Sequence, residues 1–179
     1  MTDSSNPLVE AAVLVPVLRD GNGELRLVLV ARGPLGIHGG QIGLPGGKRE
    51  SGDASLLETA LREAEEEIGL GRDELDVLAE LDSVDTRTTG FRVHPFLARV
   101  RVPAVWSPVS EEITAVLTPS VRALADPLAR SEELLSFPGW PEPRLIERIA
   151  LGDGHALWGL TLRLLDSLLP RLLSREWTI

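Results

Sequence analysis

Residues 46–70, GGKRESGDASLLETALREAEEEIGL, decide how this chain is interpreted, because two glycines lead into a strongly acidic helix. At about 100° of rotation per residue, Glu66 and Glu67 lie roughly 60° to one side and roughly 40° to the other side of Glu63. The three carboxylates therefore share one stripe of the helix. Like charges three and four residues apart repel each other, so the stripe destabilises the helix unless a cation neutralises it. The pattern favours a site for a divalent metal ion.

The same helix carries an apolar stripe beside the acidic one. Its members repeat at the three-and-four spacing of a core-facing surface: Leu57, Ala60, Leu61, Ala64 and Ile68. Ser55 or Asp53 suits the N-cap, and Gly69 suits the end of the helix. Glu65 points away from the other three acids and is interpreted as solvated surface. The helix is predicted over about residues 54–69.

A run of glutamates is more often a solvated helix face than a metal site. The preceding segment 44–47, LPGG, favours the metal site, because glycine lets the backbone bend sharply and bring a bare carbonyl towards a cation. Hard oxygen ligands select Mg²⁺ or Mn²⁺ over Zn²⁺. The predicted ligands of one or more such ions are Glu63, Glu66, Glu67 and the carbonyl of Gly46, with that of Gly47 as the alternative.

These residues resemble the motif of the Nudix hydrolase family. That motif runs glycine, five residues, glutamate, seven residues, and then Arg-Glu-apolar-any-Glu-Glu-any-Gly-apolar. Residues 62–70 match the last nine positions in full. Upstream, Asp53 stands at the glutamate position counted from Gly47, and eight residues instead of seven separate it from Arg62. The longer spacing is similar to the branch of the family that hydrolyses coenzyme A.

Segments outside the motif are similar to the same branch. Residues 38–47, HGGQIGLPGG, are similar to its His-any-Gly-Gln lead-in, and Arg32 stands where the branch has a strand-end arginine. Residues 90–95, GFRVHP, and 157–161, LWGLT, resemble two further landmarks, so the resemblance covers nearly the whole chain. One signature arginine has no counterpart in residues 33–37, which leaves other substrates open.

The resemblance implies a fold and an activity. The fold is α/β, the Nudix α/β/α sandwich with a mixed β-sheet between helices, in a single domain over residues 1–179. The activity is that of a pyrophosphohydrolase that uses Mg²⁺ or Mn²⁺ to split coenzyme A or a derivative into adenosine 3′,5′-bisphosphate and 4′-phosphopantetheine. Two alternatives stay open: hydrolysis of another nucleoside diphosphate derivative such as ADP-ribose or of a nucleoside triphosphate, and a catalytically weak Nudix domain that binds a nucleotide.

The catalytic residues are predicted to be Glu66 and Glu112. The resemblance implies that Glu112 lies on a loop or strand end near the metals, where it acts as a metal ligand or general base. A solvated turn residue is an equally good interpretation of Glu112, and Glu111 is the alternative base.

Substrate binding is predicted to involve Arg32, His38 and Arg49. A guanidinium fork matches phosphate oxygens, which also makes Arg92 a candidate. His38 either donates to phosphate or shapes the glycine-rich turn. Single arginines more often have surface roles. Arg32 is the strongest candidate among the three arginines because the family signature includes it.

The remaining histidines and aromatic residues are predicted to be mainly structural. His94 and His155 are interpreted as structural histidines. Trp158 begins a leucine-rich helix and is predicted to pack in the core. Phe91 is the one candidate for stacking on a nucleobase.

Composition agrees with a compact cytoplasmic enzyme. A chain of 179 residues with 43% hydrophobic residues can bury a sizeable core. The net charge of −9 argues against a nucleic-acid partner, since a backbone-binding protein needs a basic face, and leaves a small-molecule nucleotide as the expected partner. The sequence has no cysteine and no stretch long enough to span a bilayer, and a signal peptide is not expected. A homodimer stays open.

Further elements follow from local patterns. A hairpin is predicted between strands at 11–18 and 25–32, because residues 20–23 read DGNG. Later strands are predicted at 75–83, 91–102 and 143–151, with a turn at 152–154. Residues 103–108 and 126–143 are predicted to be loops, and an amphipathic helix over 157–173 is predicted to end at Pro170.

Overall fold

The computed structural model describes residues 7–33, 40–86, 90–101, 108–136 and 141–179. The β-strands in those residues are β1 (Val9–Arg19), β2 (Leu25–Leu27), β3 (Leu29–Arg32), β4 (Ile42–Gly43), β5 (Gly46–Lys48), β6 (Leu75–Glu80), β7 (Val84–Asp85), β8 (Phe91–Val100), β9 (Ile113–Leu117), β10 (Arg130–Leu135), β11 (Arg144–Gly152) and β12 (His155–Trp158). The α-helices are α1 (Leu56–Ile68), α2 (Val121–Ala125) and α3 (Gly159–Leu173).

Strand β1 is the centre of a mixed sheet. It runs parallel to β8, from the pair Val9 and Phe91 to the pair Val17 and Arg99, and antiparallel to β2 and β5. The strand order is β2-β1-β8-β6, with β7 also paired to β8. Most of β1 is buried, as expected for a strand that is covered on both faces.

Two smaller sheets flank the central sheet. Strand β3 pairs antiparallel with β4 and β9, and β11 pairs antiparallel with β10 and β12. The predicted strand at 25–32 is therefore divided, since β2 pairs with β1 and β3 pairs with β9. The division falls at Val28, whose N–H donates to the carbonyl of Pro16 at 2.9 Å.

Two apolar layers cover the two faces of the central sheet, because successive side chains of a strand point to opposite sides. One layer lies between the sheet and α1 and includes Ala12, Leu14, Ala60, Ala64 and Phe96. The other lies between the sheet, α2 and α3 and includes Val15, Val17, Leu97, Leu124 and Leu165. The expected α/β/α sandwich with a mixed sheet is confirmed.

Two local predictions were wrong. Strand β10 lies within the predicted loop 126–143, where mostly exposed side chains give no apolar pattern, and ion pairs to β11 from Arg130 and Glu133 accompany the backbone pairing. Helix α3 continues past Pro170 to Leu173, because Leu169 and Leu172 are buried and hold its last turn. The predicted loop 103–108 lies almost wholly outside the described residues.

None of the helices in the described ranges combines the length and the apolar character that a membrane crossing would require.

One acid on β6 pairs with two arginines. Asp76 lies opposite Arg99 of β8 and accepts a hydrogen bond from Nε of Arg101 at 2.8 Å. Hydrogen bonds from Arg101 and then Arg99 lower the pKa of Asp76 from 3.8 to about 2. The ionised form of Asp76 is therefore favoured in the folded protein.

Replacing Asp76 with asparagine is expected to lower stability at neutral pH and to reduce the acid sensitivity of the fold. Since the folded-state pKa lies below the unfolded-state pKa, ionised Asp76 stabilises the fold above about pH 4, and this contribution disappears as the pH falls through about 2. Urea unfolding of both proteins at a series of pH values measures the difference. The exposed Asp82→Asn serves as the control, and a wild-type advantage that does not change with pH would contradict the assignment.

Candidate active site

Helix α1 begins and ends where the sequence predicts. The hydroxyl of Ser55 accepts a hydrogen bond from the N–H of Glu58 at 3.2 Å, which caps the first turn. Gly69 adopts a φ of 70° and its N–H donates to the carbonyl of Glu65, which ends the helix. The apolar stripe packs against β1, so the acidic stripe is held beside the turn that forms β5.

Two glutamates of α1 contact the two glycines of β5. The carboxylate of Glu67 accepts a hydrogen bond from the N–H of Gly46 at 3.0 Å, and its side chain is only 5% exposed. The carboxylate of Glu63 lies so close to Gly47 that a Cβ atom there would be 2.4 Å from Oε1. Only a residue without a side chain leaves room for Glu63 at this position.

A cationic group already lies between two of the predicted metal ligands. Nη2 of Arg32 is 3.0 Å from Oε1 of Glu67 and donates to the carbonyl of Gly46 at 3.0 Å. The carboxylate and the carbonyl therefore point towards one place, and positive charge is favourable there. The sequence indicated Arg32 only as a substrate contact, and this contact with the predicted ligands was missed.

A second arginine organises the other side of the acidic stripe. Nη1 of Arg62 is 3.1 Å from Oε1 of Glu63 and 3.1 Å from Oε2 of Glu66. Its Nε and Nη2 donate to the two oxygens of Asp53 at 3.0 and 3.1 Å. The Arg62 guanidinium, with the N–H of Glu50, holds the pKa of Asp53 far below its usual range. Asp53 therefore acts as the anchor of Arg62.

Burial makes negative charge costly beside the glycine turn. It raises the pKa of Glu67 to about 7, against the opposing effect of Arg32, and it also raises the pKa of Glu63, against that of Arg62. Buried carboxylates in such a position are stabilised by a bound cation. Three carboxylates and a carbonyl are the oxygen donors that Mg²⁺ and Mn²⁺ prefer, so these residues fit such an ion.

The carboxylates of Glu63, Glu66 and Glu67 do not converge on a single point in the structure. Within the described ranges, no three acidic, histidine or cysteine side chains lie close enough together to hold a metal ion as they stand. The ion pairs explain this, since Arg62 contacts Glu63 and Glu66 whereas Arg32 contacts Glu67. Rotation of side chains away from these arginines would be needed for shared coordination, and the ligand set stays a prediction.

A cavity of about 290 Å³ opens beside the glycine turn. Arg32, Gly46, Gly47 and Lys48 line the side next to the carboxylates. The rest of its wall comes from β1, from the segment 41–44, and from the ends of β7, β8, β12 and α3. Lys48 was missed at the sequence level, although its position directly after the two glycines could have indicated it.

Two aromatic residues form part of this cavity wall. Phe91, the candidate for stacking on a nucleobase, lines the cavity, and the stacking itself stays a prediction. Trp158 was expected to be a core residue, yet it is only partly buried and also lines the cavity, because it ends β12 immediately before α3.

The other predicted site residues lie in different surroundings. Arg49 donates to the carbonyl of Asp53 at 3.3 Å and does not line the described cavity wall. Arg92 pairs with Asp85 at 2.8 Å. Glu112 is exposed, and its carbonyl accepts from the N–H of Gly33, next to the strand that carries Arg32. His38 lies outside the described residues.

Comparisons with known proteins agree with this fold and site. The NUDIX domain family model matches residues 9–144. Nudix hydrolase 22, chloroplastic, of Arabidopsis thaliana is 36% identical over 163 residues, which cover 87% of this chain and 53% of that protein. The uncharacterized Nudix hydrolase NudL of Salmonella paratyphi B is 35% identical over 149 residues, covering 83% of this chain and 70% of that protein. The crystal structure of RenU, a Nudix hydrolase of M. smegmatis, superposes with a TM-score of 0.57 at 24% identity, covering 66% of this chain and 74% of that chain.

The sandwich fold and the glutamate-bearing helix beside a glycine turn place the chain in the class of proteins with a Nudix domain. The chain belongs to the Nudix hydrolase family, whose members generally use divalent metal ions. It spans about half the length of the Arabidopsis relative. The expected family is confirmed, whereas the coenzyme A branch is not, and the activity and substrate require a separate argument.

Proposed function

We propose that this chain hydrolyses the diphosphate bond of coenzyme A or one of its derivatives, releasing adenosine 3′,5′-bisphosphate and 4′-phosphopantetheine. The observation that carries the proposal is the placement of Glu63, Glu67 and the Gly46 carbonyl at the edge of a largely apolar cavity. The eight-residue spacing between Asp53 and Arg62, which is similar to the coenzyme A branch, supports the same substrate.

The residues of the acidic stripe have distinct roles in this proposal. Glu63, Glu66, Glu67 and the Gly46 carbonyl would hold Mg²⁺ or Mn²⁺. When bound, such an ion would neutralise charge on the diphosphate and lower the pKa of a water molecule. Glu63 and Glu66 would exchange their 3.1 Å contacts with Arg62 for coordination of the ion.

Two cationic side chains at the cavity mouth would bind the diphosphate. Arg32 and Lys48 both line the cavity beside the glycine turn, and a guanidinium fork suits phosphate oxygens. Glu112 is proposed as a general base, since its backbone lies beside the end of β3, the strand that carries Arg32.

The roles first predicted for His38 and Arg49 remain predictions, as do the single domain over residues 1–179, a homodimer and a cytoplasmic location.

One observation favours a second substrate class. Residues 33–37 lack the arginine of the coenzyme A signature, and two aromatic side chains, Phe91 and Trp158, line the cavity. Aromatic rings can stack on a nucleobase. Hydrolysis of ADP-ribose or a nucleoside triphosphate is therefore the second candidate.

A substrate panel tests the proposal. The full chain is incubated with coenzyme A, ADP-ribose or ATP, with and without Mg²⁺ or Mn²⁺, and the products are identified by mass spectrometry. We expect metal-dependent release of adenosine 3′,5′-bisphosphate from coenzyme A and no release after chelation with EDTA. Intact coenzyme A together with cleaved ADP-ribose would select the second candidate.

A further inference from the structure

The cavity beside the glycine turn has a charged mouth and an apolar interior. Among its described lining residues, the charged ones are Arg32 and Lys48, which lie next to the carboxylates. The interior is formed mainly by the side chains of Phe91, Val93, Trp158, Leu160 and Leu164, whereas the uncharged polar residues of the cavity lining are Gln41, Thr86 and Thr161. We call this interior the side chamber.

The hydroxyl of Thr86 in the chamber wall is occupied by the protein backbone. It donates to the carbonyl of Phe91 at 3.1 Å and accepts from the N–H of Phe91 at 2.8 Å. The Thr86 hydroxyl is therefore already engaged by the backbone of Phe91. A nucleobase buried here would lose hydrogen bonds to water at its polar edge, and this is costly without new partners.

The size of the cavity limits what can enter. A volume of about 290 Å³ is at the lower end of typical small-molecule sites. It has room for a short chain or one ring system, and not for both arms of a dinucleotide. The volume therefore suits only one arm of a diphosphate ester.

We infer that the side chamber binds the uncharged, apolar arm of a diphosphate ester and thereby selects substrates by that arm. The inference rests on the proposed hydrolysis of a diphosphate at the adjacent carboxylates, and it goes further by naming Leu160 and Phe91 as specificity-determining residues. Both are only partly buried, whereas Leu164 belongs to the core. Arg32 and Lys48 at the mouth bind the diphosphate, and the side chamber binds the group that is attached to it.

Matched ligands test the contribution of each arm of the diphosphate ester to binding. The 3-methylbutyl ester of ADP and ADP-ribose share the nucleotide and differ in the second arm, whereas the 3-methylbutyl esters of ADP and UDP differ only in the base. Binding is measured by calorimetry with Ca²⁺ in place of Mg²⁺, because Ca²⁺ also prefers oxygen ligands. We expect the alkyl ester of ADP to bind at least about tenfold more tightly than ADP-ribose, since each buried methylene contributes about a fourfold gain. The two alkyl esters should bind within about threefold of each other, because the base stays outside the chamber.

Variants of the chamber wall test whether Leu160 and Phe91 determine specificity. Leu160→Gln places a polar group in the chamber and should weaken binding of the alkyl ester by about tenfold while leaving ADP-ribose nearly unchanged. Leu173→Gln is the matched control, because it makes the same change on the same helix at a side chain that is 41% exposed and outside the chamber. Phe91→Ala replaces Leu160→Gln if thermal unfolding shows that the latter does not fold.

The outcomes distinguish the inference from the proposed function. Tighter binding of the alkyl ester that Leu160→Gln or Phe91→Ala removes supports the chamber assignment, even if coenzyme A is not hydrolysed and the proposed substrate fails. Equal binding of alkyl and ribosyl esters, a strong dependence on the base, or no binding of the alkyl ester would overturn it.

Discussion

Replacing Glu66 with glutamine is expected to lower turnover on the order of 10³-fold while the protein stays folded. The change removes one negative charge from the acidic stripe, and metal-assisted stabilisation of several kcal/mol corresponds to a loss of this size. The Glu66 side chain is 59% exposed and contacts Arg62 without entering the core. Its loss should therefore affect the chemistry far more than the free energy of unfolding.

Steady-state kinetics with the active substrate and thermal unfolding measure these two effects. Glu65→Gln is the matched control, because Glu65 is an exposed acid in the same helix turn that lies off the stripe. We expect Glu65→Gln to retain nearly full activity. Equal activity losses in the two variants would show that general negative charge, and not the stripe, is required.

Alanine at the two glycines of β5 is expected to give two different defects. A Cβ at Gly46 would lie 2.4 Å from the carbonyl oxygen of Ala12, and φ is 154° there. Because neither backbone can move freely, Gly46→Ala should lower the free energy of unfolding by about 3–5 kcal/mol. At Gly47 the conflict is with the flexible carboxylate of Glu63, so Gly47→Ala should fold and lose activity as Glu63 is displaced.

Chemical denaturation and kinetics on the same preparations separate the two defects. Gly52→Ala is the control from the same connection, because a Cβ there meets nothing within 4 Å. We expect it to be close to neutral in both measurements. A Gly47→Ala variant with full activity would mean that the position of Glu63 beside the turn is not required for turnover.

Local rules explain the part of the fold that the sequence predicted well. Ser55 and Gly69 bound α1 because capping depends only on neighbouring residues. The turn after β1 forms at Asp20, whose carbonyl accepts from the N–H of Gly23 at 2.8 Å. The stripe of acids beside a stripe of apolar residues follows from helical periodicity alone.

Contacts between distant segments explain what the sequence did not predict. Trp158 lines the cavity because β12 packs near β4, which cannot be deduced from the residues around Trp158. Strand β10 forms through pairing with β11, although its own residues, RSEELL, carry no apolar alternation. The replacement of glutamate by Asp53 is a departure from the family pattern in the sequence, whereas in the fold Asp53 anchors Arg62.

The parallel pairing of β1 with β8 has a consequence for biosynthesis. Every residue of the glutamate motif leaves the ribosome before β8 does, and β1 lacks one of its neighbours until residues 91–100 have been made. Pairing between segments so far apart in sequence is slow and exposes apolar strand surface in the meantime. A nascent chain therefore carries all of its predicted metal ligands some time before it acquires the scaffold that aligns them.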